Sequence, residues 1–186
     1  MKYFTADLHL DDPNAIKYND RPFKDIDAMQ AYLLSQIDAL PKGSTLYLLG
    51  DTLIRSNKAA ARKILDQFPK HVNYVFIPGN HDYRLRHLFK EYGHVESLMQ
   101  IRHKGRKIVL CHYPMYEWSD GQNGSILLHG HTHFRSYLPG LIMDVGWDAQ
   151  RCPIAADAVL MMLEKFEIYQ LVHRRNNGKT YADLIS

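Results

Sequence analysis

The chain has 186 residues, 46% of them hydrophobic and 23% charged, with a formal net charge of +3. This length suits one domain spanning 1–186 with a sizeable core, and the near-balanced charge makes no electrostatic case for a nucleic-acid or anionic-membrane partner. Two cysteines, Cys111 and Cys152, exclude a disulfide framework and a four-cysteine zinc site, and no run approaches the ~20 apolar residues of a membrane span.

Lys2 to Ala6 is a short predicted strand that stops at Asp7-Leu8-His9. A polar, proline-containing loop is expected from there through Pro22. Asp25 is placed to cap a helix in which Ile26, Met29, Leu33, Ile37 and Leu40 recur at helical spacing until Pro41-Lys42-Gly43. STLYLLG is a compact apolar strand ending at Gly50-Asp51. Ser56 or Asn57 caps a second helix reaching about Phe68, and HVNYVFI is the next strand. Past Asn80-His81-Asp82, a helix is expected to carry Leu85, Leu88 and Phe89 until Gly93. SLMQIRHKGRKIVLC has the pattern of a hairpin turning near Lys104-Gly105-Arg106 and delivering His112 at its far end. SILLHGHTH and GLIMDVG give two further strands, and Asp157 to Phe166 a helix. The tail from Tyr169 to Ser186 has no clear pattern beyond a turn at Asn176-Asn177-Gly178.

The beginning MKYFTADLHL is polar by its seventh residue, too early for a secretory apolar segment, so a cytoplasmic location is expected. The two cysteines then read as buried free thiols in a reducing compartment, with a single bridge as the alternative.

Five polar clusters recur just past predicted strands: Asp7-x-His9, Gly50-Asp51, Gly79-Asn80-His81-Asp82, His112 and Gly130-His131-Thr132-His133. Ligands of open sheets with parallel strands bind in the crevice beyond those strand ends. Singly, each cluster has an ordinary explanation: a loop entry, a turn asparagine or a satisfied buried histidine. Together they supply two carboxylates (Asp7, Asp51), one amide oxygen (Asn80) and four imidazoles (His9, His112, His131, His133). Nitrogen and oxygen donors without thiolate suit manganese first, with iron, nickel, zinc or cobalt also acceptable. Seven side chains exceed one tetrahedral ion and suffice for two if a carboxylate bridges them.

The ordered string D-x-H, G-D, G-N-H-D, H, G-H-x-H resembles that of the calcineurin-like metallophosphoesterase superfamily over Asp7 to His133. CHYPMYEW and the MDVGWD segment are most similar to its small, single-domain bacterial or phage members. The resemblance implies an α/β fold, an αββα sandwich with a dinuclear site at the strand C-terminal ends. It also implies that Asp7, His9 and His133 bind one ion, that Asn80, His112 and His131 bind the other, and that Asp51 bridges them. His81 would contact the phosphate or protonate the leaving group, and Asp82 would support the turn. One departure is GDTLIRS: Ile54 stands where the protein-phosphatase branch has an aspartate that orients the catalytic histidine. Arg55 falls on that branch's arginine and is a weaker candidate for substrate binding.

The expected activity is metal-dependent hydrolysis of a phosphate ester through a metal-bridging hydroxide, acting on a phosphoester small molecule or nucleotide. A nucleotide-type pyrophosphatase would share the core but need lid helices. A nuclease would need a basic groove, to which Arg21, Arg84, Arg86, Arg102, Arg106 and Arg135 are the candidates. A non-catalytic metal-binding scaffold is the alternative of another class. Tyr18, Tyr83, Tyr116, Trp118 and Phe134 flank the motifs as candidates for stacking on a base or aryl group. Oligomeric state is not legible.

Overall fold

The computed structural model describes residues 1–54, 57–135 and 140–165. By its internal contacts the chain divides into two units, Met1–Ala156 and Asp157–Ser186. Residues 156–165 are helical, in line with the expected helix, while Phe166 and the Tyr169–Ser186 tail lie outside the described residues. No helix among the described residues is long and apolar enough to cross a membrane.

The first unit is built on two sheets. Strands β1 (Lys2–Thr5), β2 (Thr45–Leu48), β3 (Asn73–Phe76) and β4 (His94–Val95) run parallel, and β9 (Ile154–Ala155) joins β1 antiparallel, in the order β4-β3-β2-β1-β9. The second sheet has the order β5-β6-β7-β8, from Leu98–His103, Arg106–Cys111, Ile126–His129 and Ile142–Asp144. Its last three strands are parallel, and β5 pairs antiparallel with β6. The α/β, two-sheet architecture implied by the motif string is the one observed. Parallel pairing sets the C-terminal ends of β1, β2 and β3 along one edge, and likewise those of β6, β7 and β8. Ala6, just past β1, bridges to Gly146, just past β8, so the two sheets meet where those strands end.

Helices fill the connections of the first sheet. Asp25 accepts the Ala28 N–H and starts α2 (Ile26–Asp38), which buries Met29, Leu33 and Ile37. Asn57 accepts from Ala59 and Ala60 and starts α3 (Lys58–Leu65). These side chains join Leu46 and Leu48 of β2 and Tyr74 and Phe76 of β3 in one apolar cluster. Burial of each large aliphatic chain contributes roughly 1.5–3 kcal/mol. Tyr47 and Val75, which alternate with those residues, are buried too. A strand covered on both faces is the reason these runs read as continuously apolar.

Several expectations are corrected. The loop before Pro22 contains α1 (Pro13–Tyr18), started by Asp12 accepting the Asn14 N–H with Pro13 in the first turn. The helix after Asp82 is a 3₁₀ turn, Tyr83–Leu85, followed by the single turn α4 (Arg86–Phe89). Neither cysteine is fully buried: both are free, Cys111 half-buried and Cys152 exposed. The hairpin turns where expected, through the two residues Lys104-Gly105, both at positive φ to suit the twist of the strands.

Candidate metal centre

Each of the five clusters lies past the C-terminal end of a parallel strand. Asp7 and His9 follow β1, Asp51 follows β2, Asn80 and His81 follow β3, His112 follows β6, and His131 and His133 follow β7. Backbone hydrogen bonds lock the loops together: Asp7 N–H donates to Gly50 (3.0 Å), His9 N–H to Asp51 (3.0 Å) and Gly130 N–H to His112 (3.0 Å). Asp7, His9, Asp51, His131 and His133 all have φ between 48° and 71°. Such left-handed backbone in non-glycine residues costs of order 1–3 kcal/mol each and persists only where the surroundings enforce it. Here it turns five side chains out of the strand direction and toward one another. Gly50 and Gly130 permit the close approach. A Cβ on Gly50 would collide with the His112 ring, and one on Gly130 would stand 2.5 Å from Asp7 Oδ2.

The result is two groups of donors. Asp7, His9 and His133 bring one ligand atom each within 4.8 Å of one another, and so do Asp51, His112 and His131. Asn80 Oδ1 lies 3.1 Å from His112 Nε2, which places it at the second group. The rings of His9 and His133 are 5.1 Å apart, as are those of His112 and His131. His81 is exposed and its ring lies 6.1 Å from that of His9, facing the first group from outside; its backbone N–H donates to Asp51 Oδ1 (3.0 Å).

The donors fit cations. Asp7 Oδ1 and both ring nitrogens of His9 are buried without a hydrogen-bond partner; an unpaired buried polar atom costs about 1–3 kcal/mol, and a metal ion would satisfy the Asp7 oxygen and the one His9 nitrogen that carries a lone pair. His112 Nδ1 meets the Leu49 carbonyl at 2.9 Å, so that nitrogen carries the proton. Its Nε2 lone pair is then aimed at Asn80 Oδ1 and, at 3.4 Å, Asp51 Oδ2. Three acceptors pointing at one place require a cation or a proton between them.

Electrostatics agree. Burial raises Asp7 to about 7, against the lowering effect of His133 and His112. Burial, then the Arg21 charge, lowers His9 to about 3, which keeps the imidazole neutral and able to donate a lone pair. Burial lowers His112, but the bond and charge of Asp51 outweigh it and leave the group more basic than usual. Asp51 also raises His9, so its charge is felt in both groups.

Sequence reading missed the support beneath the first group. His133 Nδ1 meets Asp148 Oδ2 at 2.7 Å, and the guanidinium of Arg21 clamps Asp148 with two 2.8 Å bonds. Arg21 also donates to the carbonyls of Leu8 (2.9 Å) and Asp7 (2.6 Å). A carboxylate behind a ligand imidazole fixes its tautomer and orientation. Burial pushes the Asp148 carboxyl up, yet the hydrogen bonds from His133 and Arg21 bring it down to about 2. Arg21 is therefore no groove residue: its side chain is 0% exposed. Arg135 donates to the Tyr18 carbonyl and Asn19, tying two loops. Asp144 holds the second histidine loop through Thr132 Oγ1 (2.6 Å) and the Phe134 N–H (3.0 Å). Asp82 supports its turn as expected, fully buried and accepting from Thr52 and Gly79. Arg55 lies outside the described residues.

A family model described as calcineurin-like phosphoesterase matches residues 3–137. An uncharacterized protein, MJ1445 of Methanocaldococcus jannaschii, is 32% identical over 133 residues, 70% of this chain and 68% of that protein. The crystal structure of a protein of unknown function, AQ665 from Aquifex aeolicus, superimposes with a TM-score of 0.69 at 24% identity, covering 87% of this chain and 98% of that one. YfcE, a phosphoesterase from E. coli, gives a TM-score of 0.43 at 19% identity over 78% of this chain and 77% of its own.

Proposed function

The chain belongs to the calcineurin-like phosphoesterase family of metal-dependent phosphoesterases, and on that premise we propose that it hydrolyses a small phosphoester or nucleotide with two divalent ions. Asp7, His9 and His133 would hold one ion, Asn80, His112 and His131 the other, and Asp51 would be the donor available to both. The observation that carries this reading is the pair of donor groups at the strand ends, with buried Asp7 and His9 atoms otherwise unpaired. When bound, the two ions neutralise charge on the phosphoryl oxygens and make water acidic enough to attack near neutral pH.

The side chains around them have separable tasks. Asp148 and Arg21 hold His133 in one tautomer and orientation. Leu49 does the same for His112 through its carbonyl. Asp51 keeps its Oδ1 on the His81 backbone, which sets the start of the GNHD turn. On that turn Asn80 is directed at the second group, while the His81 imidazole stands outside both. It holds a proton and hands it to the departing ester oxygen. Manganese is the first choice of ion, because an imidazole-rich set disfavours magnesium. The nuclease alternative loses support, since Arg21 is buried and Arg135 is engaged with the Tyr18–Asn19 loop.

The test is metal-free protein reconstituted with manganese or nickel and assayed on bis-p-nitrophenyl phosphate. Hydrolysis that a chelator abolishes, and that magnesium alone restores poorly, is the expected result. Fully metallated protein that leaves monoesters, diesters and pyrophosphates intact would establish the scaffold reading instead.

A further inference from the structure

A cleft of ≈ 400 Å³ opens beside the second donor group, with Asn80 and His112 in its wall. That is within the ~300–1,000 Å³ range of pockets for small organic ligands. Away from the donors its wall is formed by Tyr83 and Tyr113, with Pro78 and Cys111. Both tyrosines stay substantially in solvent, 50% and 44% exposed.

Each ring has packed neighbours. Tyr113 stands edge-on to two of the donor imidazoles, 4.9 Å from His112 and 4.9 Å from His131. Arg86 covers Tyr83 with its guanidinium 4.5 Å from the ring centroid. Two positioned aromatic walls next to an ion-binding group form a stacking platform, because any flat π-system gains from them without a hydrogen-bond code. No lysine or arginine lines the cleft among the described residues, so it is unsuited to a second phosphate or a charged backbone. Apart from the donors Asn80 and His112 and the two tyrosines, Ser97 is the polar side chain of its wall.

We infer that this cleft receives the organic group esterified to the phosphate, and that this group is a flat aromatic one, a nucleoside base or an aryl ring. The inference rests on the phosphoesterase reading above. Phosphate oxygens at the donors place the ester group against Tyr113, and Tyr83 forms the other side. Tyr83 and Tyr113 thus determine substrate choice without joining the metal set.

Non-hydrolysable phosphonates test this without turnover. Calorimetry on the manganese-loaded protein would compare methylphosphonate, phenylphosphonate and a nucleoside 5′-methylenephosphonate. The aromatic ligands should bind roughly tenfold tighter than methylphosphonate, in keeping with the stacking gain per base. The ratio should fall toward one in the Tyr83→Ala/Tyr113→Ala double variant and return in Tyr83→Phe/Tyr113→Phe, which keeps the rings. A nucleoside ligand tighter than the phenyl one identifies a nucleotide substrate, and the reverse an aryl ester. Equal affinity for methyl and aromatic ligands in the wild type overturns this inference alone. If manganese binds and no phosphonate does, the phosphoesterase reading falls with it.

Discussion

The two donor groups differ in what surrounds them. Asp7 and His9 are 0% and 6% exposed, and Arg21 and Asp148 form a buried ion pair behind His133. Asn80 and His131 are exposed, and beside them lies the tyrosine-walled cleft. Burial makes a lone charge expensive, so the first group favours a cation beside Asp7 and is backed by a counter-charged frame behind His133. The second group buries His112 and Asp51 as deeply, but its Asn80 and His131 face solvent, where an incoming phosphoester would have access on the proposed reading. On the proposed function, the first half would secure an ion and the more open second half would meet the substrate.

Changes at the open side should act on rate. His81→Ala should lower activity by about 10²–10⁴ while both ions and the fold are retained. The loss should be larger for an alkyl leaving group than for an aryl one, since a good leaving group needs less protonation. Steady-state kinetics on matched esters reads this; loss of an ion would move His81 into the donor set and erase the distinction between the halves.

Changes at the buried side should act on ion retention. Asp148→Asn leaves His133 without its charged partner and should weaken one ion's affinity by roughly 10–100-fold. The other ion should be little affected, as equilibrium dialysis would show. A uniform loss at both sites would mean that the Arg21–Asp148 frame serves the whole loop cluster rather than one half.

A separate effect is expected on pH. In the metal-free protein Asp7 is raised to about 7, above the ordinary 3.8 of the unfolded chain. Below pH 4 the group is protonated in both states and contributes nothing. Between 4 and 7 only the unfolded chain ionises, so stability falls as pH rises, and above 7 the loss is complete. His9, lowered to about 3, acts in the opposite direction below pH 6.5. The readout is therefore the melting-temperature gap between wild type and Asp7→Asn. It should shift in favour of the variant from pH 4 to 7.5, on the order of 10 °C. A gap that stays constant would show that Asp7 is not the strained charge of the buried half.

Much of this centre was legible in the sequence because its chemistry is local. Asp7-x-His9 and Gly130-His131-x-His133 each place two candidate metal ligands on one loop, and each loop follows an apolar strand. The helices with a side-chain cap and a long apolar stripe were legible for the same reason, α2 above all. Elements with little periodicity were not. The two-residue strands β4 and β9 are too short for any pattern, and α1 is six residues long and rests on its Asp12 cap and Pro13. The frame under His133 was invisible because Arg21 and Asp148 are 127 positions apart. Arginine and aspartate at such a separation look like two solvated charges until the fold pairs them. Tyr113 escaped notice similarly, since only the fold sets it against the rings of His112 and His131.

The most direct test is a calorimetric manganese titration of metal-free wild type, His9→Ala and His131→Ala. Wild type should bind two ions per chain in two steps of different affinity. His9→Ala should lose the tighter step, and His131→Ala should keep it while losing the weaker one. Saturation of the wild type at one ion, or both variants losing the same step, would contradict a centre made of one buried and one open half.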